Sequence, residues 1–233
     1  RNMQPIILVH SAAGAMDQLA ELENNLAHSL LVHRLNFSGH GGLPFAGELF
    51  SIQLFAEEVI RFLDKQEIES THIFGYSMGG YVAMYLAKFH PHRVKKIITL
   101  ATKCNWSETV AAKEIDVLDP AVIEKKLPAF AGSLEKRHAP NNWKTVLEKT
   151  AAMLFEMGKD NPLKPGDLKD IQHETLLLLG DRDKMITAEE TRDVYKMLHH
   201  AQMVILPDTP HPVEMVNTAR LASEIRLFIM DTG

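Results

Sequence analysis

The sequence predicts an α/β fold, a mostly parallel central sheet with helices on both faces. Three observations point there. Short apolar runs alternate along the chain with longer stretches of helical periodicity. Neighbouring parallel strands need a crossover, and the helical stretches supply one each time. At 233 residues with 45% hydrophobic content, the chain also suits one domain with a sizeable core.

The strands are expected at residues 6–9 ("IILV"), 30–36 ("LLVHRLN"), 71–76 ("THIFGY"), 94–101 ("VKKIITLA"), 174–180 ("ETLLLLG") and 201–207 ("AQMVILP"). Helical patterns fall at about 17–28, 52–66, 79–90, 187–199 and 212–230. From 105 to 167 the rhythm changes: helical patterns recur with no strand, punctuated by Pro120, Pro128, Pro140, Pro162 and Pro165 as helix starts or breaks. Residues 1–104 and 168–233 therefore read as the core, and 105–167 as a helical lid inserted between two strands. The plainer alternative is that these helices pad the sheet.

A formal net charge of -5 without a dense Lys/Arg block gives no sign of a nucleic-acid or anionic-membrane partner. No apolar run reaches the roughly 18 residues of a membrane helix. Cys104 is the sole cysteine, so no internal disulfide can form, and it reads as a small buried residue at a strand end. The chain begins Arg1-Asn2 without an initiator methionine and enters a strand pattern with no signal-peptide features. A cytoplasmic setting is the expectation.

The chemistry centres on Gly75-Tyr76-Ser77-Met78-Gly79. This fits G-x-S-x-G, with a strand pattern before it and a helix pattern after it, the setting of a nucleophile elbow. Small residues two positions either side of Ser77 let the backbone bend sharply. The following helix then points its N-terminal amides at the serine, and the Met78 N–H becomes the first expected oxyanion donor.

With "ILVHSAAGAMD" added, the chain resembles the α/β-hydrolase superfamily over nearly its whole length, the 105–167 segment least specifically. The resemblance implies Ala12 as the second amide donor and His10 as a brace for the loop. Members typically carry His-Gly where this chain has His10-Ser11. "NFSGHGG" resembles the family's Asp-x-Pro-Gly-His-Gly segment without its aspartate and proline, and implies a turn near the pocket. In "LLLLGDRDKMIT" the family spacing favours Asp183 as the acid, leaving Asp181 as a turn former. Among 12 histidines, the loop after the last strand selects His211 as the base. Pro212 is expected in the first turn of the closing helix, and His199-His200 at a helix end, where positive charge is favourable.

Together these residues imply a serine hydrolase acting on a small-molecule ester or thioester, with no metal or organic cofactor. Ser77 would attack, His211 would shuttle the proton and Asp183 would orient the imidazole. Trp106, Phe130, Trp143, Met153, Leu154, Phe155 and Met157 are candidates for an apolar pocket wall, although such residues also fill cores. One alternative is a carbon–carbon bond hydrolase or lyase of the menaquinone-pathway or ring-cleavage type. It would need cations facing Ser77, from among Lys125, Lys126, Lys136 and Arg137. Another is a ligand-binding signalling protein on the same fold. The sequence carries no reading of oligomeric state.

Overall fold

The computed structural model describes residues 3–231. Arg1 and Asn2, with Thr232 and Gly233, lie outside the described residues. Six parallel strands form one sheet in the order β2-β1-β3-β4-β5-β6. They are β1 (Pro5–Val9), β2 (Leu31–Arg34), β3 (Thr71–Tyr76), β4 (Val94–Leu100), β5 (Thr175–Gly180) and β6 (Ala201–Leu206). Around the sheet lie α1 (Ala20–Leu26), α2 (Ile52–Lys65), α3 (Met78–Phe89), α9 (Ala188–Met197) and α10 (Thr218–Met230). Between β4 and β5 come α4 (Glu108–Asp116), α5 (Pro120–Lys126), α6 (Pro128–His138), α7 (Trp143–Lys159) and α8 (Pro165–Asp170).

The central strands are apolar at almost every position because both faces are covered. Ile7 and Val9 of β1 join a core with residues of α2, α3 and α7, while Ile6 and Leu8 join a second core with α1 and α10. All six expected strands are present, β2 shortened to four residues at the sheet's edge. Prolines open α5, α6 and α8, where a missing N–H costs nothing.

Several expectations need correction. The first helical stretch begins as a 3₁₀ turn, Met16–Leu19, and ends at Leu26. Residues 212–230 are not one helix. Pro212 precedes a short 3₁₀ turn, Val213–Met215, Val216 is extended, and α10 starts only after Asn217, whose side chain accepts from the Arg220 amide. Pro212 is thus outside the closing helix's first turn, because extended backbone at Val216 interrupts the path. Helix α9 stops at Met197, and His199 and His200 occupy the turn beyond it, where the His200 carbonyl accepts from the Thr175 amide. Cys104 is buried, but four residues past β4. Burial pushes its thiol up to about 12.

His72, within β3, illustrates how this fold holds its interior histidines neutral. Its Nε2–H donates to Gln4 Oε1 at 2.6 Å and its Nδ1 accepts from the Lys96 amide at 3.2 Å. Burial, helped by Lys95 and Lys96, lowers its pKa to about 4, and burial takes His10 to about 4 as well. The unfolded chain therefore binds protons between pH 6.5 and about 4 that the folded chain does not. Stability from these groups is full above pH 6.5 and falls as the pH drops toward 4, by about 1.4 kcal/mol per pH unit for each such histidine. Urea unfolding at pH 7, 5.5 and 4.5 should show this slope, and His72→Gln should make it shallower. An unchanged slope in the variant would remove His72 from the account.

Candidate active site

The candidate residues gather at the carboxyl ends of the strands, where β1 and β3 part because the chain runs from β1 to β2 on one side and returns to β3 on the other. Open α/β sheets leave a crevice at such a switch point. Ser77 connects β3 to α3 with φ 53° and ψ -115°, a strained conformation for a residue with a side chain. Its amide donates to the Leu100 carbonyl at 2.8 Å, and its own carbonyl accepts from Thr102 Oγ1 at 2.8 Å and from the Gly80 amide at 3.0 Å. A Cβ at Gly75 would lie 2.2 Å from the backbone of Gly79 and Gly80, and one at Gly79 would lie 2.3 Å from the Val9 carbonyl oxygen. Only glycine permits these crossings.

His211 and Asp183 come together from the loops after β6 and β5. His211 Nδ1 stands 2.7 Å from Asp183 Oδ2, and the Asp183 side chain is 1% exposed. Asp183 Oδ1 accepts from the Met185 and Ile186 amides, both at 2.8 Å. Burial alone would raise this carboxyl's pKa, but His211 and the two amides hold it below the ordinary value. A carboxylate fixed in this way selects the His211 tautomer with its proton on Nδ1 and leaves Nε2 free to act as a base. Asp181 has a different part. Its carboxylate accepts from the Thr209 amide at 3.0 Å and so shapes the loop leading to His211.

The loop after β1 is a tight turn in which the Gly14 amide donates to the Ser11 carbonyl at 3.0 Å and Ala13 is held at φ 54°. His10 Nδ1–H donates to the same Ser11 carbonyl at 2.7 Å, and its Nε2 accepts from the Phe37 amide at 3.0 Å. A trans peptide points its C=O and N–H in opposite directions. Pinning the Ser11 carbonyl therefore turns the Ala12 N–H the other way. Met78 is the first residue of α3, so its amide has no acceptor within the helix.

Ser77, Ala12, Met78 and His211 all line one cavity of about 770 Å³. Of the apolar candidates from 105–167, Trp106, Phe130, Met153, Leu154 and Met157 line it too. Trp143 is buried elsewhere in the core, and Phe155 is 51% exposed beneath the Lys159 ammonium. Gly39, Gly41 and Gly42 take positive φ in the turn after β2, and the buried His40 stacks on Phe50 without lining the cavity.

Three supporting residues escape sequence reasoning. Tyr76 donates its hydroxyl to the His211 carbonyl at 2.9 Å. Thr102 holds the Ser77 carbonyl. His138 links α6 to the turn after β1. None has a local pattern to mark it. Tyr76 does stand beside the candidate nucleophile in sequence, which could have prompted the question of what its hydroxyl reaches.

The sequence profile of the family described as alpha/beta hydrolase fold matches residues 4–152. The chain is 22% identical to a pimeloyl-[acyl-carrier protein] methyl ester esterase of Neisseria meningitidis, over 97% of this chain and 94% of that protein. It is 24% identical to the dihydrolipoyllysine-residue acetyltransferase component of the acetoin cleaving system of Pseudomonas putida, over 97% of this chain. It spans only 63% of that protein's length. Among solved structures, a thermophilic esterase from Thermogutta terrifontis superposes with a TM-score of 0.80 over 97% of this chain and 89% of that one, at 19% identity. Likeness at that identity speaks for the fold alone.

Gly75→Ala should cost more than about 3 kcal/mol, since its methyl would meet backbone rather than a yielding side chain. Gly132→Ala, in α6 with nothing near its added methyl, should stabilise by about 0.5–1 kcal/mol. Denaturant midpoints of the two variants should move in opposite directions. A Gly75→Ala protein as stable as wild type would refute the tight crossing.

Proposed function

We propose, for a chain that belongs to the alpha/beta hydrolase fold family, that it is a serine hydrolase cleaving a small carboxylic ester or thioester through an acyl-enzyme on Ser77. One observation carries this reading. His211, held 2.7 Å from the buried Asp183, lines the same cavity as the strained Ser77 and as Ala12 and Met78.

In this reading His211 Nε2 takes the Ser77 Oγ proton as Oγ attacks the carbonyl carbon. Asp183 stabilises the imidazolium that forms. The Ala12 and Met78 amides receive the developing oxyanion, each worth about 3 kcal/mol of barrier. Collapse of the tetrahedral intermediate expels the alcohol or thiol, which takes its proton from His211. Water, deprotonated by the same imidazole, then releases the acid and restores Ser77. Trp106, Met153, Leu154 and Met157 offer the substrate an apolar wall, which suits a hydrocarbon acyl or alcohol part. The 105–167 segment serves as a lid, contributing those side chains from above the strand ends. A cytoplasmic setting belongs to the same proposal, supported by a sequence whose one cysteine offers no internal disulfide.

A second reading, a carbon–carbon bond hydrolase or lyase acting on an anionic substrate, is favoured by Arg137. Of the four cationic candidates, Arg137 lines the cavity and Lys125, Lys126 and Lys136 do not. Its Nε is buried with no hydrogen-bond partner among the described residues, and its guanidinium is 3.6 Å from Glu214. A substrate carboxylate could satisfy it in a forked pair.

A fluorophosphonate should add one covalent adduct to the wild type and none to Ser77→Ala, read by intact mass. Asp183→Asn should lower kcat for a p-nitrophenyl ester by at least about 100-fold, by selecting the wrong tautomer. No adduct on the wild type, or an equal adduct on Ser77→Ala, would sink the nucleophile assignment and leave the ligand-binding reading. Labelling with negligible turnover across an acyl-chain series would shift weight to the second reading. Arg137→Gln should then raise KM for a carboxylate-bearing substrate and leave a neutral ester unaffected.

A further inference from the structure

His138, the last residue of α6, is fully buried, and its two ring nitrogens bridge the loops after β1 and β2. Nε2 lies 2.9 Å from the Ala13 carbonyl oxygen, so it carries the proton and donates. Nδ1 accepts from the Gly41 amide at 3.1 Å. His10 makes the same kind of bridge one step along, from the Ser11 carbonyl to the Phe37 amide. The two histidines thus hold the carbonyls on either side of Ala12, one from beneath the turn and one from the inserted helices. The neighbouring Asn141 adds bonds from its side chain to the Gly39 carbonyl at 3.2 Å and the Leu43 carbonyl at 2.6 Å. Ala13 needs such support, because a φ of 54° costs an alanine about 1–2 kcal/mol.

We propose that His138 is a positioning residue for the reaction. By holding the Ala13 carbonyl it fixes the turn that presents the Ala12 amide, and so makes the oxyanion site depend on the seating of the 105–167 segment. This rests on the serine-hydrolase reading, in which the Ala12 amide receives the oxyanion. A donor misaimed by a fraction of an ångström loses effect on the transition state while the ground-state carbonyl still binds. The signature is therefore a fall in kcat without a matching rise in KM.

The test compares His138→Gln with His138→Met in the full chain. The Gln amide nitrogen reaches the position of Nε2 and can still donate to Ala13, whereas Met fills the space without a donor. Both variants lose the acceptor for Gly41. Turnover of a short p-nitrophenyl ester should fall at least tenfold in kcat for Met and less than threefold for Gln, with KM within twofold in both. Fluorophosphonate labelling rates should follow the same order. Thermal denaturation would show both variants folded at the assay temperature. If Met fails to fold, His138→Asn replaces it, keeping an acceptor for Gly41 while withdrawing the donor from Ala13. Equal kcat in Gln and Met, or losses confined to KM, would overturn the positioning role while leaving Ser77 as nucleophile. A wild type that neither labels nor turns over would overturn both.

Discussion

A serine held at φ 53° between a strand and a helix persists because its backbone is fixed from every side, and the rest of the candidate site depends on that fixation. The Leu100 carbonyl accepts from the Ser77 amide, while the Thr102 hydroxyl and the Gly80 amide donate to the Ser77 carbonyl. Gly75 and Gly79 let backbone pass against backbone at distances that no Cβ would survive. This crossing brings the start of α3 against the end of β1, since a Cβ at Gly79 would run into the Val9 carbonyl. The Met78 amide and the turn carrying Ala12 are brought to one place by the same contact. Strain at the serine and proximity of the two amides therefore have one cause.

The histidines of the described structure fall into two kinds by their partners. His10, His138 and His72 each donate to an oxygen and accept from a backbone amide, an arrangement only the neutral ring can make. Protonation would set an N–H against an N–H. Burial reinforces the neutrality, lowering all three below the ordinary value. His211 instead sets its Nδ1 against the Asp183 carboxylate and has no carbonyl-to-amide bridge of that kind. The same side chain serves as a fixed strut where its partners are an oxygen and an amide, and at His211 it meets a buried carboxylate instead.

That division explains what the sequence could reveal. Strands were legible because burial on both faces writes a nearly uninterrupted apolar run into the chain, as in "ETLLLLG", of which all but the first residue is β5. Ser77 was legible because its constraint is local, with its glycines two positions away. Asp183 and His211 needed the family's ordering of loops, since neither residue type is informative alone in a chain with 12 histidines. Thr102, Tyr76 and His138 were illegible because their partners lie 25, 135 and 125 residues away. The closing helix was misread at Pro212 for a related reason: the loop must carry His211 to Asp183 before the chain can turn helical, and tertiary demand overrides proline's preference for a first helical turn.

The segment between β4 and β5 is tied down at both ends of its path. At its base, the Asn161 side chain donates to the Cys104 carbonyl at 3.0 Å and accepts from the Tyr81 hydroxyl, which in turn accepts from the Leu163 amide at 2.9 Å. Its beginning and end are thereby fastened to each other and to α3. At its far side, His138 and Asn141 fasten it to the loops after β1 and β2. The cavity wall lies between these anchors, with Met153 and Met157 on α7 facing Phe130 and Leu127 near the start of α6. Changes of side chain along that wall can alter the shape offered to a substrate without moving either anchor. The backbone crossings at Gly75 and Gly79 beside Ser77 leave no room for a side chain. The cavity wall from 105–167, by contrast, includes apolar side chains that can be exchanged by volume.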